Sequence, residues 1–342
     1  MLHSCKSDHI FNIPQNIFLQ NKCYLSYSYF GKVVDNNGYV SPSGCNAIAD
    51  NKKMSFLKSS SESLERRALI FGGYKNDQKK DDHVKAWDIL NNKEKSLPYN
   101  YTKYSISQPY VIDTTGTATH FNSKSAVNNA IKELLEKNSL FLFWYGKDGY
   151  KLNTNMYDEN FYYKKLGHNG FTVEVYVNYY FTPLISVFAI IIKDNLVYSS
   201  GIGTGFNIRK AINRSLSEAY LLTWQNISLD KIRSFNSNYH TECIKYLYNN
   251  FENQNRILTN NNRYINERDL ILKSIPGWVK NLYVIFLNKS MFNQFKSLKV
   301  FSTYLNNHIP LKSNLNLRLP INVNSINLTQ YDLKGIPDCI II

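Results

Sequence analysis

Apolar positions change their period several times along the chain, and those changes divide it into elements. Over the first forty residues apolar and polar side chains alternate around turn signals at Asn36-Asn37-Gly38 and Pro42-Ser43-Gly44, which predicts short strands and loops. From about Asp50 a helical period takes over, with Met54, Leu57, Leu64 and Ala68 along one inward face up to Leu69. A charged, solvated loop from Tyr74 to His83 follows, then a strand over His83 to Asp88 and another near Tyr110 to Asp113. Ala126, Ala130, Leu134 and Phe141 set a second helix from Ser123 to about Tyr145, opened by the cap signal Asn122-Ser123. Phe171 to Tyr180 and Leu184 to Lys193 predict a strand pair around Thr182-Pro183, the second apolar enough to be covered on both faces. Gly201-Ile202-Gly203-Thr204-Gly205 then breaks the pattern. A third helix runs from about Asn207 to Trp224 with Ile208, Ala211, Ile212, Leu216 and Ala219 inward. Beyond Gln225 the signals thin out to a helix near Thr241 to Phe251, a strand at Leu282 to Leu287 and an Asn-rich tail. No stretch has the composition of a linker. The expectation is a mixed α/β (α+β) fold, a mixed sheet with packed helices, in a single domain over 1–342. Its legible core is 44–225, and 226–342 forms a less legible C-terminal part.

Composition narrows the class. A chain of 342 residues with 43% hydrophobic and 14% aromatic side chains can bury one large core or two smaller ones, which excludes a disordered tail or a disulfide miniprotein. Lys plus Arg number 40 against 26 Asp plus Glu, a net +14 that suits polyanions from nucleotide phosphates to acidic peptides. The abundance of Asn, Lys, Ile and Tyr fits AT-rich coding bias, so charge alone does not choose among them. A nucleic-acid binder remains a reading from charge, disfavoured because the aromatics are not interleaved with Arg and Lys in a basic stripe. Cys5, Cys23, Cys45, Cys243 and Cys339 are scattered, without CxxC or Cys/His ligand spacing, so neither a disulfide framework nor a zinc site is expected. The N-terminus has no apolar signal region, and the longest apolar stretch, Leu184 to Ile192, falls short of the ~20 residues a span needs. A soluble, cytoplasmic protein is expected, with no membrane and no nucleic acid among its partners.

Candidate chemistry lies in the helices. The first carries Glu62 and Glu65 in Ser61-Glu62-Ser63-Leu64-Glu65-Arg66, and the second carries Glu133 and Glu136 in Lys132-Glu133-Leu134-Leu135-Glu136-Lys137. Glutamates three apart share a helix face. The third holds Arg214 and Glu218, four apart on one face. Converging carboxylates repel unless a cation sits between them, and hard oxygen ligands suit Mg²⁺ bound with a nucleotide's phosphates. The bland alternative is three ordinary solvated helix faces. Gly201-x-Gly203-x-Gly205 lies between a strand and a helix, where backbone amides can cradle a phosphate or where a tight turn is simply needed. It is not GxGxxG, and it comes too late for a leading dinucleotide unit. His83, His120, His168 and His240 sit in separate segments and reveal no Ser/His/Asp or Cys/His arrangement, so no catalytic acid, base or nucleophile is assigned.

Taken in order, these segments resemble the YcaO family of ATP-dependent peptide-modifying enzymes. The first resembles that family's EaxER helix in Glu62-Ser63-Leu64-Glu65-Arg66. The second resembles its D-S-x-G-x-A…A…ExxER-D-A stretch in Asp113-Thr114-Thr115-Gly116-Thr117-Ala118, Ala126 and Glu133-Leu134-Leu135-Glu136-Lys137-Asn138. The third resembles its S-x-G-x-G…A…RAL-x-EA block in Ser200-Gly201-Ile202-Gly203-Thr204-Gly205, Ala211 and Arg214-Ser215-Leu216-Ser217-Glu218-Ala219. The resemblance covers about Gly44 to Gln225 and implies a YcaO-like mixed α/β fold with ATP and Mg²⁺ as cofactors. Glu62, Glu133, Lys137, Arg214 and Glu218 would then bind ATP, and Glu65 and Glu136 the metal.

The implied reaction is cyclodehydration of a ribosomally made precursor peptide, as in bacteriocin maturation. A Cys, Ser or Thr side chain adds to a neighbouring amide, ATP phosphorylates the amide oxygen, and loss of phosphate leaves a thiazoline or oxazoline. External sulfide or an amine nucleophile would give a thioamide or amidine through the same residues. The implied partners are the precursor peptide and a separate leader-binding or ubiquitin-activating-enzyme-like protein, since the chain is short for members that carry such a module fused. Lys137 stands in place of the second arginine, which keeps charge but loses the bidentate fork. Ser125 stands where many members are acidic, and the proline-rich terminus of many azoline formers is absent. These departures motivate another reading, a non-catalytic YcaO-like scaffold subunit.

Overall fold

A computed structural model describes residues 23–29, 44–74, 82–105, 111–228, 231–254, 266–287 and 294–341. The predicted loop over 74–83, Tyr110 and most of the N-terminal forty residues lie outside them. In chain order the elements begin with β1 (Tyr24–Tyr29), β2 (Gly44–Ala49), α1 (Lys52–Phe71), β3 (His83–Asp88), β4 (Lys93–Pro98), β5 (Thr117–His120) and α2 (Ser123–Gly146). They continue with β6 (Tyr150–Leu152), α3 (Phe161–His168), β7 (Thr172–Asn178), β8 (Ile185–Lys193), β9 (Leu196–Gly205), α4 (Ile208–Ser228), α5 (Ser237–Asn250) and β10 (Asn253–Gln254). Then come α6 (Glu267–Lys273), β11 (Tyr283–Phe286), β12 (Lys296–Phe301), α7 (Pro320–Ser325) and α8 (Gln330–Lys334). The fold class is mixed α/β, as the periodicities predict. Among the described residues no helix is long and apolar enough to cross a membrane.

The described residues fall into two compact units, one drawn from Met1–Leu134 and Lys280–Thr303, the other from Leu135–Val279 and Tyr304–Ile342. In the first unit, an antiparallel sheet runs in the order β4-β3-β11-β12-β5, and β1 and β2 form a separate antiparallel ribbon. β3 alternates strictly, with Val84, Ala86 and Asp88 buried, and its apolar positions pack with Leu69, Leu97, Tyr283, Ile285 and Phe301. Helix α1 covers the ribbon, β5 and β12. Asn51 caps it, accepting from the Met54 N–H at 2.9 Å.

The buried face of α1 departs from the predicted one. Met54 is 45% exposed, while Ser55, Ser59 and Ser63 form the buried stripe above Ala68 and Leu69. Ser55 donates to the Ala47 carbonyl and Ser59 to the Cys45 carbonyl, so small hydroxylic side chains let the helix settle closely on β2. The predicted strand near Tyr110 to Asp113 is only a bridge between Ile112 and Ser105.

In the second unit the sheet order is β10-β6-β7-β8-β9, with β10 and β6 parallel and the other pairs antiparallel. Ile185 to Ile192 are buried throughout β8, as its apolar run predicts. Phe143 of α2 stacks on Phe188 and Phe251, with ring centroids at 4.5 and 4.2 Å. The glycine run does not end the strand, and β9 continues through Gly201 and Gly203. A Cβ at Gly201 would stand 2.2 Å from the Ser215 carbonyl oxygen, and one at Gly203 2.2 Å from that of Ala211. These glycines let α4 lie directly against the strand, with Ala211, Ile212, Leu216 and Ala219 buried as predicted. The tail is also built in: Asp338 accepts from the Tyr145 hydroxyl and the Lys312 N–H, and Trp144 donates to the Pro337 carbonyl.

Candidate functional site

The helix glutamates turn toward strands and turns, away from a solvated face. In the first unit Glu62 accepts from the Asn46 N–H at 2.9 Å and pairs with Arg66 at 2.7 Å, the two side chains being 31% and 23% exposed. Burial raises the Glu62 pKa, against the pull of Arg66 and the Asn46 amide. One turn on, Glu65 accepts from the Thr117 hydroxyl at 2.9 Å. Burial also pushes its carboxyl up, against that hydroxyl and with the charge of Glu62 adding to the rise. Thr117 opens β5 directly after the turn Asp113-Thr114-Thr115-Gly116, in which the Thr115 N–H donates to the Asp113 carboxylate at 2.8 Å. Lys299, on β12, lies within electrostatic reach of Asp113, Glu133 and Glu65.

The second unit gathers the remaining candidates around the end of β9. Glu136 accepts from the Thr204 hydroxyl and has Lys137 Nζ at 3.8 Å, both side chains being mostly buried. Arg214 donates from Nη1 to the Thr204 carbonyl at 2.7 Å, and Glu218 accepts from the Ile202 N–H at 2.6 Å. The helix pair Arg214 and Glu218 is thus turned onto the strand edge that the glycines bring close.

The structure therefore brings Glu65 and Glu133 within electrostatic reach of Lys299 in one unit, with Glu62 beside Glu65, and sets Glu136, Lys137, Arg214 and Glu218 along 202–204 in the other. Sequence reasoning missed Lys299, Thr117 as a partner of Glu65, and Thr204 as a partner of both Glu136 and Arg214. For Lys299 a signal existed, a lysine inside the apolar run Leu298-Lys299-Val300, but the surrounding stretch was not read as a strand.

Among the described residues no three His, Cys, Asp or Glu side chains converge as a ready metal cage. The donors that are present are hard carboxylates, of which Mg²⁺ takes one or two together with waters and phosphate oxygens. Arg214 and Lys137 are cationic side chains of the kind that bind phosphates.

A family model described as YcaO cyclodehydratase, ATP- and Mg²⁺-binding, matches residues 23–275, a stretch that runs through both units. The chain belongs to the YcaO family. ATP and Mg²⁺ are that family's cofactors. A YcaO from Methanopyrus kandleri, bound with AMPPCP and Mg²⁺, superposes with a TM-score of 0.64 at 13% identity, over 89% of this chain and 88% of that one. The E. coli microcin synthetase McbBCD complex with pro-MccB17 bound contains a chain matching at 0.61 and 14% identity, over 87% and 92%. A heterocyclase in complex with substrate and cofactor matches at 0.65 and 13% identity, over 94% of this chain and 53% of that one. These likenesses establish the shared YcaO fold. A sequence search of curated proteins finds no significant match.

Proposed function

We propose that this YcaO protein is an ATP-dependent cyclodehydratase that converts Cys, Ser or Thr of a ribosomally made precursor peptide to thiazoline or oxazoline. The observation that carries the reading is that Glu62, Glu65, Glu136 and Glu218 hydrogen-bond inward, to Asn46, Thr117, Thr204 and Ile202, where solvated helix faces would leave them in water. The family's motif pattern assigns Glu65 and Glu136 to Mg²⁺ binding, and Glu62, Glu133, Lys137, Arg214 and Glu218 to ATP binding. ATP with Mg²⁺ supplies the phosphoryl group that turns an amide oxygen into a leaving group after the side-chain nucleophile has added to the amide carbon. The protein's own residues orient the phosphates: Arg214 offers a planar fork and Lys137 a point charge. Their anchoring on Thr204 and Glu136 fixes both before the ligand arrives, which lowers the ordering cost of binding. We place the reaction in the cytoplasm, with both compact units forming one YcaO domain and a separate leader-binding protein as partner. The family description, a cyclodehydratase, favours the azoline over a thioamide or amidine.

The experiment is mass spectrometry of a candidate precursor incubated with the protein, its partner and Mg-ATP. Loss of one water per modified residue, with acid hydrolysis restoring the parent mass and so excluding simple dehydration, is the expected result. A sulfur-for-oxygen mass gain would replace the azoline with a thioamide. ATP-independence of any product would overturn the reading altogether.

A further inference from the structure

The first unit holds a lysine with no access to solvent. Lys299 is 0% exposed in the middle of β12. Burying an ammonium is costly unless hydrogen bonds and opposite charges compensate. Both are present. Nζ donates to the Thr115 carbonyl at 2.6 Å and to the Asp113 carbonyl at 3.1 Å. Burial pulls the lysine's pKa down to about 8, and the carboxylates of Asp113, Glu133 and Glu65 oppose that pull. The two carbonyls belong to the turn that delivers Thr117 to Glu65. The same turn is pinned to β12 at a second point. Gly116 has φ 73° and accepts from the Val300 N–H at 2.7 Å, so close that a Cβ there would stand 2.6 Å from the Val300 oxygen.

We propose that Lys299 is a positioning residue: its ammonium, fastened to the carbonyls of Asp113 and Thr115, is the standing counter-ion that keeps Glu65 and Glu133 gathered beside this turn while no metal is bound. The inference rests on the reading above that these glutamates serve the Mg-nucleotide. Neighbouring carboxylates repel one another, and a metal-free site built from them would drift apart unless a fixed charge stood behind it. A protonated lysine whose donors are held by backbone carbonyls neutralises without competing as a ligand. It also lowers the negative charge that a Mg-nucleotide, itself an anion, must approach.

The test compares wild type with Lys299→Gln, which retains a donor for the carbonyls and removes the charge, and with Lys299→Met, which removes both. Hydrogen exchange is followed in the metal-free full chain. In Lys299→Gln the amides of 113–119 and of the Glu65 turn of α1 should exchange about tenfold faster, with the rest of the unit unchanged. Mg²⁺ with a non-hydrolysable ATP analogue should restore most of the protection. In turnover, the KM for Mg-ATP should rise about tenfold with a smaller change in kcat. Should Lys299→Met fail to fold, Lys299→Gln alone decides. Unchanged exchange in 113–119, or a loosening spread evenly over the whole sheet and not recovered by the metal and analogue, overturns the proposal. A wild type that binds no Mg-nucleotide would instead defeat the nucleotide reading, while the local exchange difference in the metal-free protein would still judge the counter-ion role.

Discussion

Arg214 separates two explanations of one side chain. As half of a helix pair four residues from Glu218 it would contribute only ~0.3–0.5 kcal/mol. Its Nη1 instead donates to the Thr204 carbonyl at 2.7 Å, which fixes the guanidinium plane beside Thr204, the residue that holds Glu136. A fork fixed in this way can present its other donors to two phosphate oxygens at once, and lysine cannot reproduce that geometry. Arg214→Lys is expected to cost about tenfold or more in ATP turnover, the ~1.5–3 kcal/mol of a charged hydrogen bond, with the thermal midpoint unchanged. Steady-state phosphate release beside thermal unfolding of the same variant checks it. Normal turnover would return Arg214 to the helix-pair explanation. The asparagines carry a related lesson. Their abundance fits coding bias, yet Asn51, Asn122, Asn160, Asn207, Asn236 and Asn266 each accept a backbone N–H from the first turn of a helix. Composition alone could not distinguish a bias from a set of caps.

At the scale of elements, the close seating of α4 on β9 depends on two glycines and not on the third. Gly203→Ala would place a Cβ 2.2 Å from the Ala211 oxygen and 2.5 Å from the Ser215 nitrogen, both backbone atoms that can yield only by moving the helix. A loss of about 3 kcal/mol is expected, at the upper end for overpacking. Gly205→Ala meets nothing nearer than 3.7 Å and should stay within ~1 kcal/mol of wild type. Urea midpoints of the two variants provide the comparison, and equal midpoints would show that α4 is not held against the strand through Gly203. The elements legible in the sequence are those whose burial is apolar and long: α2, α4 and the doubly covered β8 announce themselves by period. What escaped notice is a face or a strand of another kind. The α1 face is a serine stripe, β4 exposes Lys93 to Ser96 in succession, and β12 hides Lys299 between Leu298 and Val300. The motif glutamates were legible as a pattern. Their inward orientation was not, because it is decided by strand and turn groups such as Asn46, Thr117 and Thr204, whose nearness to the helices only tertiary packing creates.

At the scale of the whole molecule, the proposed function raises the question of how a flexible precursor would reach the nucleotide site. A segment that becomes ordered only on binding loses conformational freedom at that moment, so contacts around one modified residue yield low affinity by themselves. A second contact made elsewhere on the same peptide converts the encounter into an intramolecular one, with an effective concentration in the ~mM range for a short flexible tether. The net charge of +14 would favour an acidic peptide at long range, but that attraction is screened within about 10 Å at 0.1 M salt and does not set register. A partner that grips the leader is therefore expected to act on peptide capture and leave the chemistry alone. Adding it should lower the precursor KM by about a hundredfold with little change in kcat, and the gain should vanish for a leaderless core peptide. Peptide-dependent ATP turnover, measured with full precursor and with core peptide in the presence and absence of the partner, gives all four values. Equal KM for the full precursor with and without the partner would show that this chain recognises its own substrate.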